Sequence, residues 1–212
     1  MMRQPKSRAL ANLMLQAYAP CNFFGTCRQA QWNPGTGQIP RGFVGATGHL
    51  SDVEVVMVFS EPGHPHNDER HAATDPHDLY LSGMRHVYEC YKERTDTFHK
   101  NVRWFMAQLY PDRTFDEQLE RIWLTEGRLC SIDDEIGKLK DKTCAQHFLR
   151  QQFNLMSDAT VVGFGGKAKS YLKAIGADHI GAYALAPPGA NHKPARPSWD
   201  AALDEIRARR AT

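Results

Sequence analysis

Long hydrophobic runs are missing from this chain. No apolar segment approaches the roughly 18–20 residues that a membrane-spanning helix needs, so we predict no membrane partner. Residues 1–6 are basic, but no apolar signal-peptide core follows them. We therefore expect a cytoplasmic protein, in which thiols stay reduced and clustered cysteines indicate metal binding or catalysis.

A strong charge of either sign is also missing. The 26 Lys and Arg residues nearly balance the 24 Asp and Glu residues, for a net charge of +2. The cations crowd two segments of the sequence: Arg3, Lys6, Arg8, Arg28 and Arg41 in the first, and Lys193, Arg196, Arg207, Arg209 and Arg210 in the second. Such clusters either neutralise nucleic-acid phosphates or are simply solvated, and charge alone leaves both interpretations open.

Internal repeats and low-complexity tracts are absent as well. A chain of 212 residues with 42% hydrophobic residues fits one domain over 1–212, which we expect to be monomeric. Apolar, β-branched runs predict strands at 53–59, 122–125, 159–164 and 183–185. Helices are predicted at 7–18, 80–94, 97–109, 132–153 and 168–175, with a last one starting near Ser198 as N-cap. This alternation predicts an α/β fold with a largely parallel central sheet.

Three polar loops follow the predicted strands, at 60–66, 125–128 and 186–192. In parallel sheets, ligands bind beyond the carboxyl ends of the strands, so these loops are the candidate site. The Asp- and His-rich stretch at 66–77 has irregular spacing, which favours a solvated loop over a metal site.

No Cys-x-x-Cys motif occurs, although the chain has five cysteines. Four of them form two distant pairs, Cys21 with Cys27 and Cys130 with Cys144. Spacing alone leaves two interpretations open: one metal site built from two remote segments, or buried inert thiols.

Four motifs together resemble the uracil-DNA glycosylase superfamily. They are Ser-Glu-Pro-Gly-His at 60–64, Trp-Leu-Thr-Glu at 123–126, the strand–glycine–helix segment at 161–168 and Ala-Pro-Pro-Gly-Ala-Asn at 186–191. The resemblance implies a three-layer α/β/α sandwich that hydrolyses the N-glycosidic bond of uracil or a related damaged base in DNA. It also implies a role in base excision repair, with DNA as the partner.

The order of the cysteines resembles the iron-sulfur branch of that superfamily. The resemblance implies a [4Fe–4S] cluster held by Cys21, Cys27, Cys130 and Cys144, which would tie in the N-terminal arm at about 1–48. Zinc is the alternative, because four thiolates suit either metal. Cys90 matches no ligand position and is expected to be a packed thiol.

The same resemblance assigns site residues. Glu61 is the expected catalytic carboxylate, and substrate-binding positions are Gly63, His64, Glu126, Asn191 and His192; DNA-binding positions are Lys167, Lys193 and Arg196. Two residues depart from the family motifs: Glu126 replaces a base-reading Asn, and Ala186 stands where a histidine is common. These departures leave open a nucleic-acid-binding iron-sulfur protein without base excision. A third interpretation is a zinc-stabilised hydrolase acting on free nucleosides or nucleotides.

Overall fold

A five-stranded, mostly parallel sheet forms the centre of the computed structural model, which describes residues 3–67, 69–132 and 141–211. The strands are β1 (Val44–Gly45), β2 (Val55–Phe59), β3 (Ile122–Glu126), β4 (Thr160–Phe164) and β5 (Ile180–Ala182), in the spatial order β1-β3-β2-β4-β5. Only the β1 pairing is antiparallel; the other strand pairs are parallel. The predicted α/β class with a largely parallel sheet is therefore confirmed.

Seven α-helices surround the sheet in the described part of the chain. They are α1 (Arg8–Leu15), α2 (Pro76–Glu93), α3 (Thr97–Leu109), α4 (Phe115–Arg121), α5 (Arg150–Leu155), α6 (Gly166–Ala174) and α7 (Ala195–Arg210), with a π-helical turn, Ala145–Leu149, just before α5. Polar N-caps explain where several begin: the carboxylates of Asp75 and Asp96 cap α2 and α3, and Thr114 forms a capping box at α4.

Alternating side chains of β2 enter two different hydrophobic clusters, as the two-residue period of a strand requires. Met57 and Phe59 belong to a cluster that includes residues of α3 and α7. Val56 and Val58 belong to a second cluster that includes residues of α1 and α6. All five β2 residues are buried, so helices cover this strand on both faces.

Some predicted boundaries are wrong. The last strand is β5 (Ile180–Ala182) rather than 183–185, because the Tyr183 N–H donates to Ser198 Oγ (2.9 Å) instead of to a strand. Helix α7 accordingly begins at Ala195, and Ser198 is not its N-cap. The two-residue strand β1 and the seven-residue α4 were missed, because both are too short to show a clear hydrophobic period.

The predicted helix at 132–153 is only partly correct. Ile132 pairs with Ala30 in an antiparallel bridge and is therefore not helical. Residues 133–140 lie outside the described residues. Helical structure is present from Thr143 through the π-helical turn to the end of α5.

Across residues 3–67, 69–132 and 141–211, no helix has both the length and the apolar character needed to cross a bilayer.

Candidate functional site

Three polar segments meet at one edge of the sheet. Strands β2, β3 and β4 are parallel, with Phe59 in register with Glu126, so their carboxyl ends lie side by side. The Gly127 N–H donates to Phe59 O (2.9 Å), which holds the two chain segments together just beyond the strands. This edge carries two predicted residues: Glu61, in the loop after β2, and Glu126, the last residue of β3.

The first cavity at this edge, the Glu61 cleft, has a volume of about 330 Å³. Its walls are residues 60–64 after β2, Gly165–Lys167 at the start of α6, and the loop 186–189, completed by Ile132 and Ala184. The predicted residues Glu61, Gly63, His64 and Lys167 are thus brought together in one cleft.

Glu61 is a nearly buried carboxylate with a cationic partner. Its side chain is 8% exposed, and its Oε1 accepts a short hydrogen bond from Lys167 Nζ. The Tyr171 hydroxyl donates to Oε2 at 3.4 Å. Glu61 and Lys167 thus form an ion pair in the wall of the cleft. The sequence did not predict that Lys167 would contact Glu61. A contact between Lys167 and DNA remains a prediction.

A second cavity, the Glu126 pocket, lies on the other side of the same loop and has a volume of about 260 Å³. It shares Pro62, Gly63 and His64 with the Glu61 cleft, and Arg41, Glu69, His86 and Cys90 are among its other lining residues. The segment 62–64 is therefore the common wall of the two cavities.

Glu126 is buried in the wall of this pocket. It is 5% exposed, and its Oε2 has no hydrogen-bond partner among the described residues. Burial raises the pKa of Glu126 well above its usual range; the charge of Glu61 adds to this effect, and Arg41 opposes it. A neutral carboxyl group both donates and accepts hydrogen bonds. The backbone of Gly42, at φ +88, lies so close that an added Cβ would fall 2.4 Å from Glu126 Cγ.

A buried polar network next to Glu126 was missed from the sequence. Glu69 and His71 are each 4% exposed, in a stretch expected to be a solvated loop. Glu69 contacts His71 Nε2 and His86 Nε2, both at 3.3 Å, and Arg41 Nε at 3.5 Å. Burial alone would raise the pKa of Glu69, but hydrogen bonds from the two histidines and the Arg41 charge lower it far below its usual range. The expectation of a solvated loop is wrong here, because three cationic or hydrogen-bonding partners compensate the buried carboxylate.

The loop carrying Gly63 and His64 is pinned through one carbonyl. Gly63 O accepts hydrogen bonds from Arg41 Nη2 and, at 3.1 Å, from Ser131 Oγ. Both Gly63 and His64 are exposed. An added Cβ on Gly63 would meet no atom within 4 Å, so the surrounding chain does not itself require glycine there.

The remaining predicted residues lie outside both cavities. Asn191, His192, Lys193 and Arg196 are exposed and line neither the Glu61 cleft nor the Glu126 pocket. Arg196 stacks on Trp104, with Cζ 3.5 Å from the ring centroid. The four residues form a surface beside the cleft, because the loop 186–189 that lines it leads directly into them.

The four paired cysteines line a single small cavity. Cys21, Cys27, Cys130 and Cys144 contribute to its wall together with Phe23, Phe24, Leu129 and Phe148. The Leu129 N–H donates to Cys144 Sγ (3.4 Å), and Arg128 Nη2 donates to Cys27 Sγ (3.3 Å). Burial raises the pKa of the Cys27 and Cys130 thiols and brings that of Cys144 to about 12. These thiols are neutral unless a cation replaces their protons.

Among the described residues, no three of the four cysteine sulfurs lie within 4.8 Å of one another. Within the described residues, the only His, Cys, Asp or Glu group with three ligand atoms within 4.8 Å of one another is Asp75, His77 and Asp78. Four thiolates around one zinc ion at about 2.3 Å would place their sulfurs about 3.8 Å apart. The exposed Asp75 group has a simpler explanation, since Asp75 Oδ1 accepts from the N–H groups of His77 and Asp78 as the N-cap of α2.

No protein-family model matches this chain, and no curated protein matches its sequence. The chemistry of the site therefore has to be argued from its own residues.

Proposed function

We propose that this protein is a DNA glycosylase with a three-layer α/β/α fold, which hydrolyses the N-glycosidic bond of uracil or a related damaged base. The observation that carries the proposal is the ionised Glu61 in a cleft beyond the carboxyl end of the central strand β2. Such an edge of a parallel sheet is the expected ligand site, and a flipped nucleotide needs a concave pocket of this kind.

The reaction requires little covalent chemistry from the protein. The bond between the sugar C1′ and the base nitrogen breaks, its electron pair leaves with the base, and the sugar develops an oxocarbenium cation. The Glu61 carboxylate stabilises that cation and accepts a proton from the water that attacks C1′. Lys167 and the Tyr171 hydroxyl each bond one oxygen of Glu61 and orient the carboxylate for this role.

Glu126 is suited to reading the base edge. In its neutral form, the carboxyl O–H donates to a carbonyl of the base and the second oxygen accepts from a ring N–H. Its unpartnered Oε2 in the pocket wall supports this role, because a buried polar atom without a partner costs free energy that a ligand would recover. The substitution of Glu for the family's Asn is thus compatible with recognition of uracil.

The cysteine cavity would hold a [4Fe–4S] cluster. The position of all four thiols on the wall of one cavity supports this assignment. Cys21 and Cys27 would connect the N-terminal arm to the segments carrying Cys130 and Cys144. Its role would be structural, because none of the four cysteines lines the Glu61 cleft or the Glu126 pocket.

Base release tests the activity directly. Purified protein is incubated with duplex and single-stranded oligonucleotides that carry uracil, hypoxanthine or xanthine, and alkali-labile abasic sites are counted. We expect release of at least one base, and a loss of about 10²–10⁴-fold in Glu61→Gln. The enzyme hypothesis fails if the wild-type protein binds these oligonucleotides but releases no base.

That failure would favour a second function, a nucleic-acid-binding protein of the same fold without base excision. One observation favours it: Lys167, expected to contact phosphate, faces Glu61, while Lys193 and Arg196 are exposed beside the cleft. Under this alternative, Lys193→Gln with Arg196→Gln would weaken DNA binding and reduce its salt dependence, whatever happens at Glu61.

The fifth cysteine supplies a matched control for the cluster. Anaerobically purified protein should be brown, with visible thiolate-to-iron absorption and bound iron. Cys130→Ser should lose both, whereas Cys90→Ser should keep both. Colourless protein that contains stoichiometric zinc would contradict the cluster and support the alternative metal.

A further inference from the structure

Three residues on one face of α2 form a constellation outside the proposed reaction. His86, Cys90 and Arg94 follow each other at intervals of four, which places their side chains on one side of the helix and its C-cap. Cys90 Sγ lies 3.4 Å from His86 Nε2 and accepts a hydrogen bond from Arg94 Nε at 3.0 Å. A thiol with two such neighbours differs from the packed thiol that the sequence suggests.

Both neighbours lie within hydrogen-bond distance of the Cys90 sulfur. Arg94 carries a permanent charge, and the contact with Cys90, followed by that with Glu69, raises the pKa of His86 to about 9. His86 is therefore an imidazolium at neutral pH. Thiolates beside imidazolium or guanidinium groups are the reactive form of cysteine in proteins.

The sulfur is also accessible. Cys90 is partly exposed and lines the Glu126 pocket, whose volume of about 260 Å³ admits a small molecule. The same pocket contains the unpartnered Oε2 of Glu126, a hydrogen-bonding group that is 5% exposed. A small polar electrophile entering this pocket would meet a nucleophile and a hydrogen-bonding partner.

Two acidic residues, Glu69 and Asp96, also line the pocket that contains Cys90. Glu69, an anion that also contacts His86, is paired with Arg41 and His71. Asp96 is held by the His99 ring, with Oδ2 2.6 Å from Nδ1. Asp96 therefore has a partner of its own, whereas Glu69 shares His86 Nε2 with Cys90 and also pairs with Arg41 and His71.

We propose that Cys90 is a nucleophile and a modification site for small electrophiles, hydroperoxides in particular, in the Glu126 pocket. The thiolate attacks one peroxide oxygen, the S–O bond forms as the O–O bond breaks, and the leaving hydroxide takes a proton from His86. The sulfur is oxidised to a sulfenic acid and the peroxide is reduced to water.

Alkylation measures the nucleophilicity of Cys90 independently of base excision. The full chain is treated with iodoacetamide at neutral pH, and each cysteine is followed by peptide mapping in a mass spectrometer. Cys90 should react about threefold to tenfold faster than the same cysteine in an unfolded peptide spanning 84–96, because the contacts with His86 and Arg94 stabilise the sulfur as it attacks. An equal or slower rate would overturn the proposal.

Single substitutions identify the cause. His86→Gln and Arg94→Gln should each lower the Cys90 rate towards that of the peptide, whereas Arg85→Gln removes a neighbouring exposed cation and should leave it unchanged. If His86→Gln fails to fold by circular dichroism, Arg94→Gln carries the comparison. Equal rates in the Arg94 and Arg85 variants would contradict the role of the cationic contacts.

A second treatment tests the oxidant class. Hydrogen peroxide followed by dimedone should add the dimedone mass to the Cys90 peptide of the wild-type protein, and much less to that of Arg94→Gln. Absence of the adduct at Cys90, with rapid alkylation retained, would restrict the site to alkylating electrophiles and overturn the peroxide assignment.

Discussion

Glu61 and Glu126, in the walls of the two cavities beyond the sheet, have opposite electrostatic surroundings. Glu61 has Lys167 against its Oε1, whereas Glu126 is buried with one oxygen unpartnered among the described residues. The cavities share the wall formed by Pro62, Gly63 and His64. Two carboxyl groups on neighbouring strand ends are thus divided into an anion and a neutral acid.

The difference shows that burial alone does not determine the charge of a carboxyl group. Both side chains are largely shielded from water, at 8% exposure for the Glu61 side chain and 5% for residue Glu126. A nearby cation offsets the desolvation cost at Glu61, but Arg41 only partly offsets it at Glu126. Groups whose environments separate their protonation states in this way are suited to distinct roles in one reaction.

The largest expected effect separates the two glutamates by activity. Glu61→Gln removes a charge that the proposed transition state needs, so base release should fall by about 10²–10⁴-fold. Glu126→Gln replaces a neutral acid by a group of similar shape that also donates and accepts, so release should stay within about tenfold. Initial rates of abasic-site formation measure both. Equal losses in the two variants would contradict the division of roles.

A smaller effect concerns the glycine that directly follows Glu126. Gly127 follows Glu126, and a Cβ there would lie 2.1 Å from the ring of buried Tyr171, whose hydroxyl reaches Glu61. Gly127→Ala should lower the free energy of unfolding by about 1–3 kcal/mol through overpacking. Gly63→Ala is the control and should change it by less than about 0.5 kcal/mol, because its Cβ meets no atom within 4 Å. Urea denaturation compares them.

The pH dependence of stability tests the neutral state of Glu126. Its raised pKa means that the folded protein keeps a proton which the unfolded chain loses above about pH 4.5. The free energy of unfolding therefore falls as the pH rises above that value, by at most about 1.4 kcal/mol per pH unit from this group. Glu126→Gln should remove this component, so its stability relative to wild type should increase between pH 5 and 8.

Other titrating groups should cancel in that comparison. Glu69, with its lowered pKa, stabilises the fold above about pH 4.5 and loses this contribution as the pH falls below it. His86, with a pKa of about 9, stabilises the fold most below about pH 6.5 and loses that contribution as the pH rises to 9. Both remain in the variant. A pH-independent difference between the two proteins would show that Glu126 is ionised in the fold.

The smallest effect is expected at the hydroxyl beside Glu61. Tyr171→Phe removes the long hydrogen bond of 3.4 Å from the Tyr171 hydroxyl to Glu61. It keeps the buried ring of residue 171 and the contact between Glu61 and Lys167. The free energy of unfolding should drop by less than about 1 kcal/mol. Base release should fall far less than in Glu61→Gln. A loss as large as that of Glu61→Gln would assign Tyr171, rather than Lys167, the main part in positioning the carboxylate.

Local patterns in the sequence determined much of the fold. The apolar runs that predicted β2, β3 and β4 are correct to within two residues, because a buried parallel strand needs a continuous stretch of such residues. The placement of Glu61 and Glu126 after these strands followed from the same runs. Short elements such as β1 and α4 were not predictable, because their stability comes from packing rather than from a local period.

The electrostatics of the site were decided by the tertiary structure alone. Lys167 is 106 positions from Glu61 in the chain, yet it is the ion-pair partner of this carboxylate. The neutral state of Glu126, the compensated burial of Glu69 and the cations beside Cys90 likewise depend on distance and desolvation. A sequence specifies which groups can carry charge; whether they do depends on which distant residues the fold places within a few ångströms of them.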